Sequence, residues 1–160
     1  ARLAAMVGPA AVCMPEPAGG RGPAEQVRLV PVELVDAASS GGAPGGRAGE
    51  PERPWPGSIP GPQPTVVHPR PLPAQVVDRS ERPVAVSGRG AVSAPPDRVS
   101  IDGGAWRRVE RWAGPWLVDE RWWDPIAHRR RARFQVVDEE GEAHLLAIEA
   151  GCWWAEGRYD

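Results

Sequence analysis

Proline and tryptophan occupy different parts of this chain, and their separation constrains the fold more than any other feature. Eighteen of the 20 prolines precede residue 101, whereas seven of the eight tryptophans follow it. The 20 prolines and 19 glycines together approach the fraction at which extended or disordered segments are expected. The sequence therefore predicts an extended front part and a folded, aromatic-rich back part.

The charge composition excludes a strongly basic protein. The net charge is −2, from 19 basic and 21 acidic residues, and every basic residue is arginine. Binding to nucleic acid without sequence preference depends on Lys and Arg side chains that neutralise phosphates. The near-neutral balance argues against such binding, although a local basic patch stays open.

Two cysteines, Cys13 and Cys152, are too few and too far apart to indicate a disulfide framework or a zinc site. We expect two reduced thiols, no metal and no cofactor. No apolar run approaches the ~18 residues that span a bilayer, and no signal peptide is visible. These features predict a cytoplasmic protein. The chain begins with Ala1 rather than Met, so we expect it to be part of a longer protein.

Composition divides the chain into three parts. Residues 1–36 read as a helix end at 1–8 followed by two strands, and we expect them to complete a domain that lies mostly upstream. Residues 37–64 form a Pro/Gly-rich linker, because they have little to bury against the entropy of ordering. Trp55, between two prolines, is expected to dock on the following domain or on a partner. Residues 65–160 form a C-terminal β interaction domain.

The pattern of residues 65–160 is mainly β. Short apolar runs separated by Gly, Pro and Asp turns predict seven or eight short strands, arranged as a small antiparallel meander or open barrel. One short helix is expected to begin at Asp124, because Asp caps free backbone N–H groups and the following proline fits the first helical position. A turn is predicted at 114–115. The strand at 144–150 is apolar on both faces, which is typical of a central strand.

Nothing in the sequence predicts an active site. The acidic pairs at 119–120 and 139–140 occupy adjacent positions, and adjacent strand residues face opposite ways, so neither makes a convergent dyad. The three histidines, His68, His128 and His144, have no metal-like spacing. Neither a phosphate-binding loop nor a nucleophile elbow occurs. We therefore expect a protein that is not an enzyme.

Binding to a partner is the better prediction, because six tryptophans fall between residues 112 and 154. A single sheet buries at most one indole of an adjacent pair, because adjacent strand residues face opposite sides. One indole of the pair 122–123 and one of the pair 153–154 therefore stay outside the core. Each of these indoles is covered by the linker or binds another protein, since Trp and Arg are preferred at interface hot spots. The candidate partner-binding residues are Trp116, Trp122, Trp123, Arg129, Arg130, Arg131, Trp153, Trp154 and Tyr159.

The arginine run at 129–131, placed at the C-terminal end of the predicted helix, leaves two interpretations open. With Arg133 it could hold the phosphates of a single-stranded nucleic acid beside stacked indoles. However, residues 101–160 carry twelve acids against nine arginines, which favours a local Arg–carboxylate face. A carbohydrate-binding module would need an exposed aromatic row on an extracellular chain, and nothing indicates export, so it ranks last.

Several motifs resemble the C-terminal region of actinobacterial ImuB proteins. The segments 112–124, WAGPWLVDERWWD, and 153–160, WWAEGRYD, carry most of the likeness. The segment 20–31, GRGPAEQVRLVP, resembles the stretch that follows their little-finger-like region, and shorter matches occur at 54–57 and 86–90. The resemblance covers nearly the whole chain.

ImuB proteins resemble Y-family translesion polymerases without the catalytic carboxylates. The resemblance implies that residues 1–36 are the tail of such a polymerase-like region. The resemblance implies a non-catalytic adaptor in error-prone translesion synthesis during the SOS response, cytoplasmic and associated with the nucleoid after DNA damage. It implies docking of an ImuA-type accessory protein and of an error-prone replicative-type DNA polymerase. The sliding clamp is expected to bind a motif outside this segment, because residues 26–30 make a poor clamp motif.

Overall fold

A computed structural model describes residues 8, 12–18, 22–31 and 59–160. The chain divides into two compact units, Ala1–Pro54 and Trp55–Asp160, and each is described by itself. Apart from its last residue, the helix predicted at 1–8 falls outside the described residues. Most of the linker, with its tryptophan, also falls outside them.

The first unit contains a two-stranded antiparallel sheet of β1 (Cys13–Pro17) and β2 (Val27–Pro31). A one-turn helix, α1 (Pro23–Gln26), leads into β2. It forms because proline suits the first helical position and because the Glu25 carboxylate accepts a hydrogen bond from the N-cap N–H at 3.1 Å.

The second unit is a closed six-stranded antiparallel barrel. Each strand pairs with the next along the chain, and the last pairs back with the first. The mainly β prediction is confirmed, although the meander is closed rather than open and has six strands rather than seven or eight. The strands are β3 (Val66–Val77), β4 (Arg98–Ile101), β5 (Arg107–Glu120), β6 (Arg129–Asp138), β7 (Ala143–Glu149) and β8 (Cys152–Tyr159).

The barrel interior is an apolar core centred on Phe134. This ring is fully buried and lies 5.0 Å from the ring of Trp153 and 6.1 Å from that of Trp112. Tilted aromatic pairs of this kind stabilise a core beyond the area that they bury. Trp153 also donates its indole N–H to the carbonyl of Val84 at 2.8 Å. The remaining strand residues of the core are Val76, Val99, Val109, Ala132, Val136, Leu146, Ile148 and Ala155.

β7 is buried on both faces, as its sequence predicts. Leu146 points into the core, whereas its neighbour Leu145 lies on the outer face and is also fully buried. The segment 59–64 lies over this outer face: one of its carbonyls accepts a hydrogen bond from the Gln135 side chain at 3.3 Å, and one of its prolines packs against Gly157. Leu145 is the register partner of both residues, so the segment covers it.

The helix predicted at Asp124 is wrong. The Asp124 carboxylate does accept hydrogen bonds from the N–H groups of Ile126 and Ala127, at 3.0 and 3.2 Å. These hydrogen bonds close a turn, and no helix follows it among the described residues. β6 begins at Arg129, which pairs with Glu120 of β5. The three consecutive arginines at 129–131, predicted to lie in a helix, therefore lie in β6 and pair with β5.

The turn predicted at 114–115 is also wrong. β5 continues through both residues, with a register shift against β6 between Ala113 and Trp116. Gly114 has a φ of +120°, and a Cβ at this position would lie 2.7 Å from the Arg133 carbonyl oxygen. Glycine thus permits a bulge inside one strand, where the pattern indicated a break between two.

Two turns of the barrel repeat the tetrapeptide Gln-Val-Val-Asp, at 75–78 and 135–138. In each, the aspartate accepts hydrogen bonds from the N–H groups two and four residues later, at 2.8 and 3.0 Å for Asp78 and at 3.0 and 2.9 Å for Asp138. The residue three positions later has a positive φ in both. Only isolated β-bridges follow the turn at Asp78, at Val77–Pro83 and Val86–Val92.

Candidate docking surface

The hairpin of β5 and β6 extends beyond the end of β7. The pairing of β6 with β7 ends at Arg131 and Glu149, whereas the pairing of β6 with β5 continues for two more residue pairs, to Glu120 and Arg129. We call residues 119–130, which comprise these two pairs and the connecting turn, the arm.

The turn of the arm carries three highly exposed apolar side chains. Trp122, Trp123 and Ile126 are 73%, 70% and 98% exposed. The two indoles pack edge to face, with ring centroids 5.8 Å apart. Both face solvent because they lie in a turn, whereas adjacent residues of a strand would face opposite sides. We call these three residues the apolar tip.

Polar contacts fix the arm at its base. His128 Nε2 lies 2.7 Å from Asp119 Oδ1, and Arg130 Nε lies 3.5 Å from Asp119 Oδ2. Arg130 also donates a hydrogen bond to the carbonyl of Gly88 at 2.6 Å, which joins the arm to the loop after β3. A loop that is ordered before binding loses less entropy on association. The arm therefore presents the apolar tip in a form suited to docking.

Trp153 and Trp154 follow strand alternation. Trp153 is 6% exposed and belongs to the core, which corrects its assignment as a partner-binding residue. Trp154 is 36% exposed and lines a cavity of about 480 Å³ together with Ala147. Trp116 lies half-buried on the same outer face, since register pairing links it to Trp154 through Arg133 and Ala147.

Tyr159, the last of the candidate residues, is half-buried near the end of β8. Its hydroxyl accepts a hydrogen bond from the Gln135 side-chain amide at 2.9 Å. Burial raises the pKa of the Tyr159 hydroxyl above its ordinary value. These contacts tie Tyr159 to the outer layer of the barrel.

The arginines of the run at 129–131 are paired with carboxylates of the same domain. Arg129 donates two hydrogen bonds of 2.7 Å to Glu149. Arg131 is buried, with its guanidinium 3.1 Å from Glu156 and 3.3 Å from Glu120. The Arg–carboxylate face is therefore confirmed, and the assignment of Arg131 to a partner surface is corrected.

At the other end of β6, a guanidinium joins three carboxylates. Arg107 lies 3.2 Å from Asp138, 2.7 Å from Glu140 and 2.9 Å from Glu142. The ligand atoms of Asp138, Glu142 and His144 lie within 4.8 Å of one another, close enough to surround a metal ion. However, the guanidinium already places a positive charge among these oxygens. The residues therefore fit an ion-pair cluster better than a metal site.

The pKa directions agree with an ion-pair cluster. Burial raises the pKa of the Asp138 carboxyl, but hydrogen bonds from Arg107 and from the backbone N–H groups of Glu142 and Glu140 outweigh it, so this pKa lies below its ordinary value. The hydrogen bond to Asp138 likewise raises the pKa of Arg107 against the effect of burial. Both groups therefore stay charged at neutral pH and stabilise this end of the barrel.

No protein-family model matches the sequence, and no curated protein or solved structure is significantly similar to it. No helix in the described ranges is long and apolar enough to cross a bilayer.

Sequence reasoning missed two residues of this surface, Ile126 and Leu117, which are 98% and 46% exposed. The exposure of Ile126 could have been predicted from the sequence. If the segment after Asp124 is read as a surface turn, an apolar residue two positions later lies away from the core. For Leu117 no local signal existed. Its exposure depends on where the barrel ends, which is set by pairing between distant strands.

Proposed function

We propose that the barrel is a non-catalytic docking module of an adaptor protein in error-prone translesion synthesis and DNA damage tolerance, acting in the cytoplasm at the nucleoid. The apolar tip supports docking. The segment 112–124, which carries most of the resemblance to ImuB proteins, also contains the two indoles of the tip. This coincidence supports the damage-tolerance setting.

Exposure of the apolar tip is the observation that carries the proposal. Its three side chains are each at least 70% exposed and do not belong to the core. Tryptophan is enriched at interface hot spots, where truncation to alanine costs about 2 kcal/mol or more. Burial of apolar surface by a partner stabilises a complex by roughly 25 cal/mol per Å², before the costs of association.

The partners proposed are an ImuA-type accessory protein and an error-prone replicative-type polymerase. The test is calorimetric titration of the chain with each purified partner. Trp122→Ala and Trp123→Ala are expected to weaken binding to at least one of them by about 2 kcal/mol each, or roughly 30-fold. Trp106→Ala is the matched control, because Trp106 is 42% exposed but lies outside the arm. Wild-type affinity in folded tip variants for both partners would refute the proposal.

Single-stranded nucleic acid is the second candidate ligand, because Arg121 adjoins the two indoles and makes no ion pair within the described residues. Aromatic stacking beside a cation is how such strands are held. The pairing of Arg129 and Arg131 with carboxylates weakens this candidate. Absence of oligonucleotide binding at low salt would remove it.

A further inference from the structure

A cavity of about 220 Å³ opens at the base of the arm. Its lining includes Leu117 and Ala132, which pair with each other two positions before the arm begins. Ile148 and Val86 contribute further apolar surface, and Gly88 and other small residues line the remainder. The cavity and the apolar tip are therefore parts of one end of the barrel.

The size and lining of this cavity suit an apolar side chain. A water molecule occupies about 30 Å³, so the space exceeds that of a few waters and accommodates a group such as a leucine or phenylalanine side chain. Leu117 is 46% exposed, which leaves apolar surface at the opening. Gly90, with a φ of +82°, closely approaches the Leu117 side chain, since a Cβ at this position would lie 2.8 Å from a Leu117 methyl carbon.

The charges around the cavity favour an acidic partner. Arg89 and Arg121 are exposed and make no ion pair among the residues that the structure describes. Among the carboxylates of the arm, Asp119 pairs with His128 and Arg130, and Glu120 pairs with Arg131. Asp124 accepts hydrogen bonds from two backbone N–H groups of its own turn. Arg89 follows the lining residue Gly88 in the chain, and Arg121 lies in the arm. An incoming chain that reaches the cavity would therefore meet two guanidinium groups that no carboxylate of the described residues pairs.

We infer that this end of the barrel binds an acidic polypeptide segment, which inserts one apolar side chain into the cavity while the apolar tip packs against its flank. The inference rests on the proposed docking function and adds the chemistry of the partner. Recognition then combines an apolar anchor with flanking carboxylates.

A polypeptide fits better than a nucleic acid. Bases are recognised by stacking and by hydrogen bonds to their edges. Among the described residues that line the cavity, the polar side chains are Ser87, Arg130 and Arg131. The Ser87 hydroxyl accepts hydrogen bonds from backbone N–H groups of its own loop, and both arginines are held by carboxylates. The apolar remainder of the lining selects for an aliphatic or aromatic side chain.

The experiment measures binding of labelled synthetic peptides to the full chain by fluorescence anisotropy. One peptide carries a central Leu-Phe pair flanked by glutamates, the second replaces this pair with alanines, and the third replaces the glutamates with lysines. The acidic, anchored peptide is expected to bind roughly tenfold or more tightly than either of the others. Equal binding of all three, or no binding, would overturn the inference.

Two comparisons, each of a test variant with a control, measure the contributions of the cavity and of the exposed arginines to peptide binding separately. Ala85→Phe places a ring at the cavity opening and is expected to weaken binding of the acidic, anchored peptide, whereas Ala105→Phe, at an exposed site lining a different cavity, is not. Arg89→Glu with Arg121→Glu is expected to weaken it by ~10-fold, whereas Arg79→Glu, an exposed arginine of another turn, is not. Wild-type binding of the acidic, anchored peptide by Ala85→Phe, or by the double variant at Arg89 and Arg121, contradicts the inference.

A labelled thymidine oligonucleotide serves as competitor. Its displacement of the peptide at equal or lower concentration would overturn the choice of a polypeptide. If the variants at the apolar tip abolish docking of the purified partners while the cavity and charge variants leave it intact, the proposed function stands and this inference falls. If the tip variants leave docking intact, the proposed function itself falls.

Discussion

Arg133 and Glu156 form a buried ion pair on the outer face of the barrel. Arg133 Nε donates a hydrogen bond of 2.6 Å to one oxygen of the carboxylate, and the two side chains are 1% and 10% exposed. Arg131 donates a hydrogen bond of 3.1 Å to the other oxygen. One glutamate thus holds two buried guanidinium groups on neighbouring positions of the outer face of β6.

Glu156→Ala is expected to destabilise the barrel by about 3–5 kcal/mol, because it removes the carboxylate that pairs with two buried guanidinium groups. The measurement is urea unfolding followed by tryptophan fluorescence. Glu110→Ala is the control, since Glu110 is exposed and makes no ion pair in the described part of the chain, and it should stay within about 0.5 kcal/mol of wild type. Similar losses in both variants would contradict this account.

The adjacent tryptophans of β8 are expected to differ in their contribution to stability. Trp153→Ala removes a core ring and its hydrogen bond to Val84, and we expect a loss of about 3–5 kcal/mol. Trp154→Ala, on the outer face, is expected to cost about 1 kcal/mol or less. Thermal and urea unfolding of both variants checks the difference. A greater loss for Trp154→Ala would place the wrong residue in the core.

The bulge of β5 predicts different costs for two glycine substitutions. Gly103→Ala meets open space and only incurs the cost of a positive φ, about 1 kcal/mol. Gly114→Ala costs more, because a φ of +120° lies outside the left-handed region that alanine can adopt. It also places its Cβ 2.7 Å from the Arg133 carbonyl oxygen, a clash expected to add about 1–3 kcal/mol. Equal unfolding midpoints for the two variants would show that the bulge accommodates a side chain.

The turn at Asp78 predicts a pH dependence. The backbone N–H of Arg82 is the largest influence on the Asp78 carboxyl and, with further hydrogen bonds, holds its pKa below the ordinary value of 3.8 against the effect of burial. A carboxyl whose pKa is lower in the folded state contributes stability above its unfolded pKa and loses that contribution as the pH falls through the folded pKa.

We therefore expect Asp78→Asn to be less stable than wild type at neutral pH, and the difference to shrink below about pH 4. Urea midpoints measured from neutral to acid pH test this. Parallel curves for the two proteins over the whole range would exclude a role for the charged form of Asp78.

The strands of the barrel were predictable where the pattern is local. The apolar run of β7 correctly indicated burial on both faces, and the alternation at Trp153 and Trp154 correctly placed one indole inside and one outside. Closure of the sheet was not predictable in this way, since it depends on the pairing of Ala74 with Trp153, far apart in the sequence.

The candidate surface was predicted in part. The exposed indoles of Trp122 and Trp123 were expected as a pair of which one would remain outside, but the arm that carries them was read as the start of a helix. Asp124 does cap the turn, yet pairing of Arg129 with Glu120 prevents a helix from continuing. The specific ion pairs of the arginines at 129–131 could not be predicted, because their carboxylate partners lie on other strands that only the tertiary structure brings close.

The role of the arm is tested most directly by hydrogen–deuterium exchange of the chain, alone and mixed with either proposed partner, the ImuA-type protein or the polymerase. We predict that amides of residues 119–130 exchange more slowly in the complex, while those of β3 and β4 keep their rates. Protection confined to β3 and β4, with the arm exchanging as in the free chain, would contradict docking through Trp122, Trp123 and Ile126.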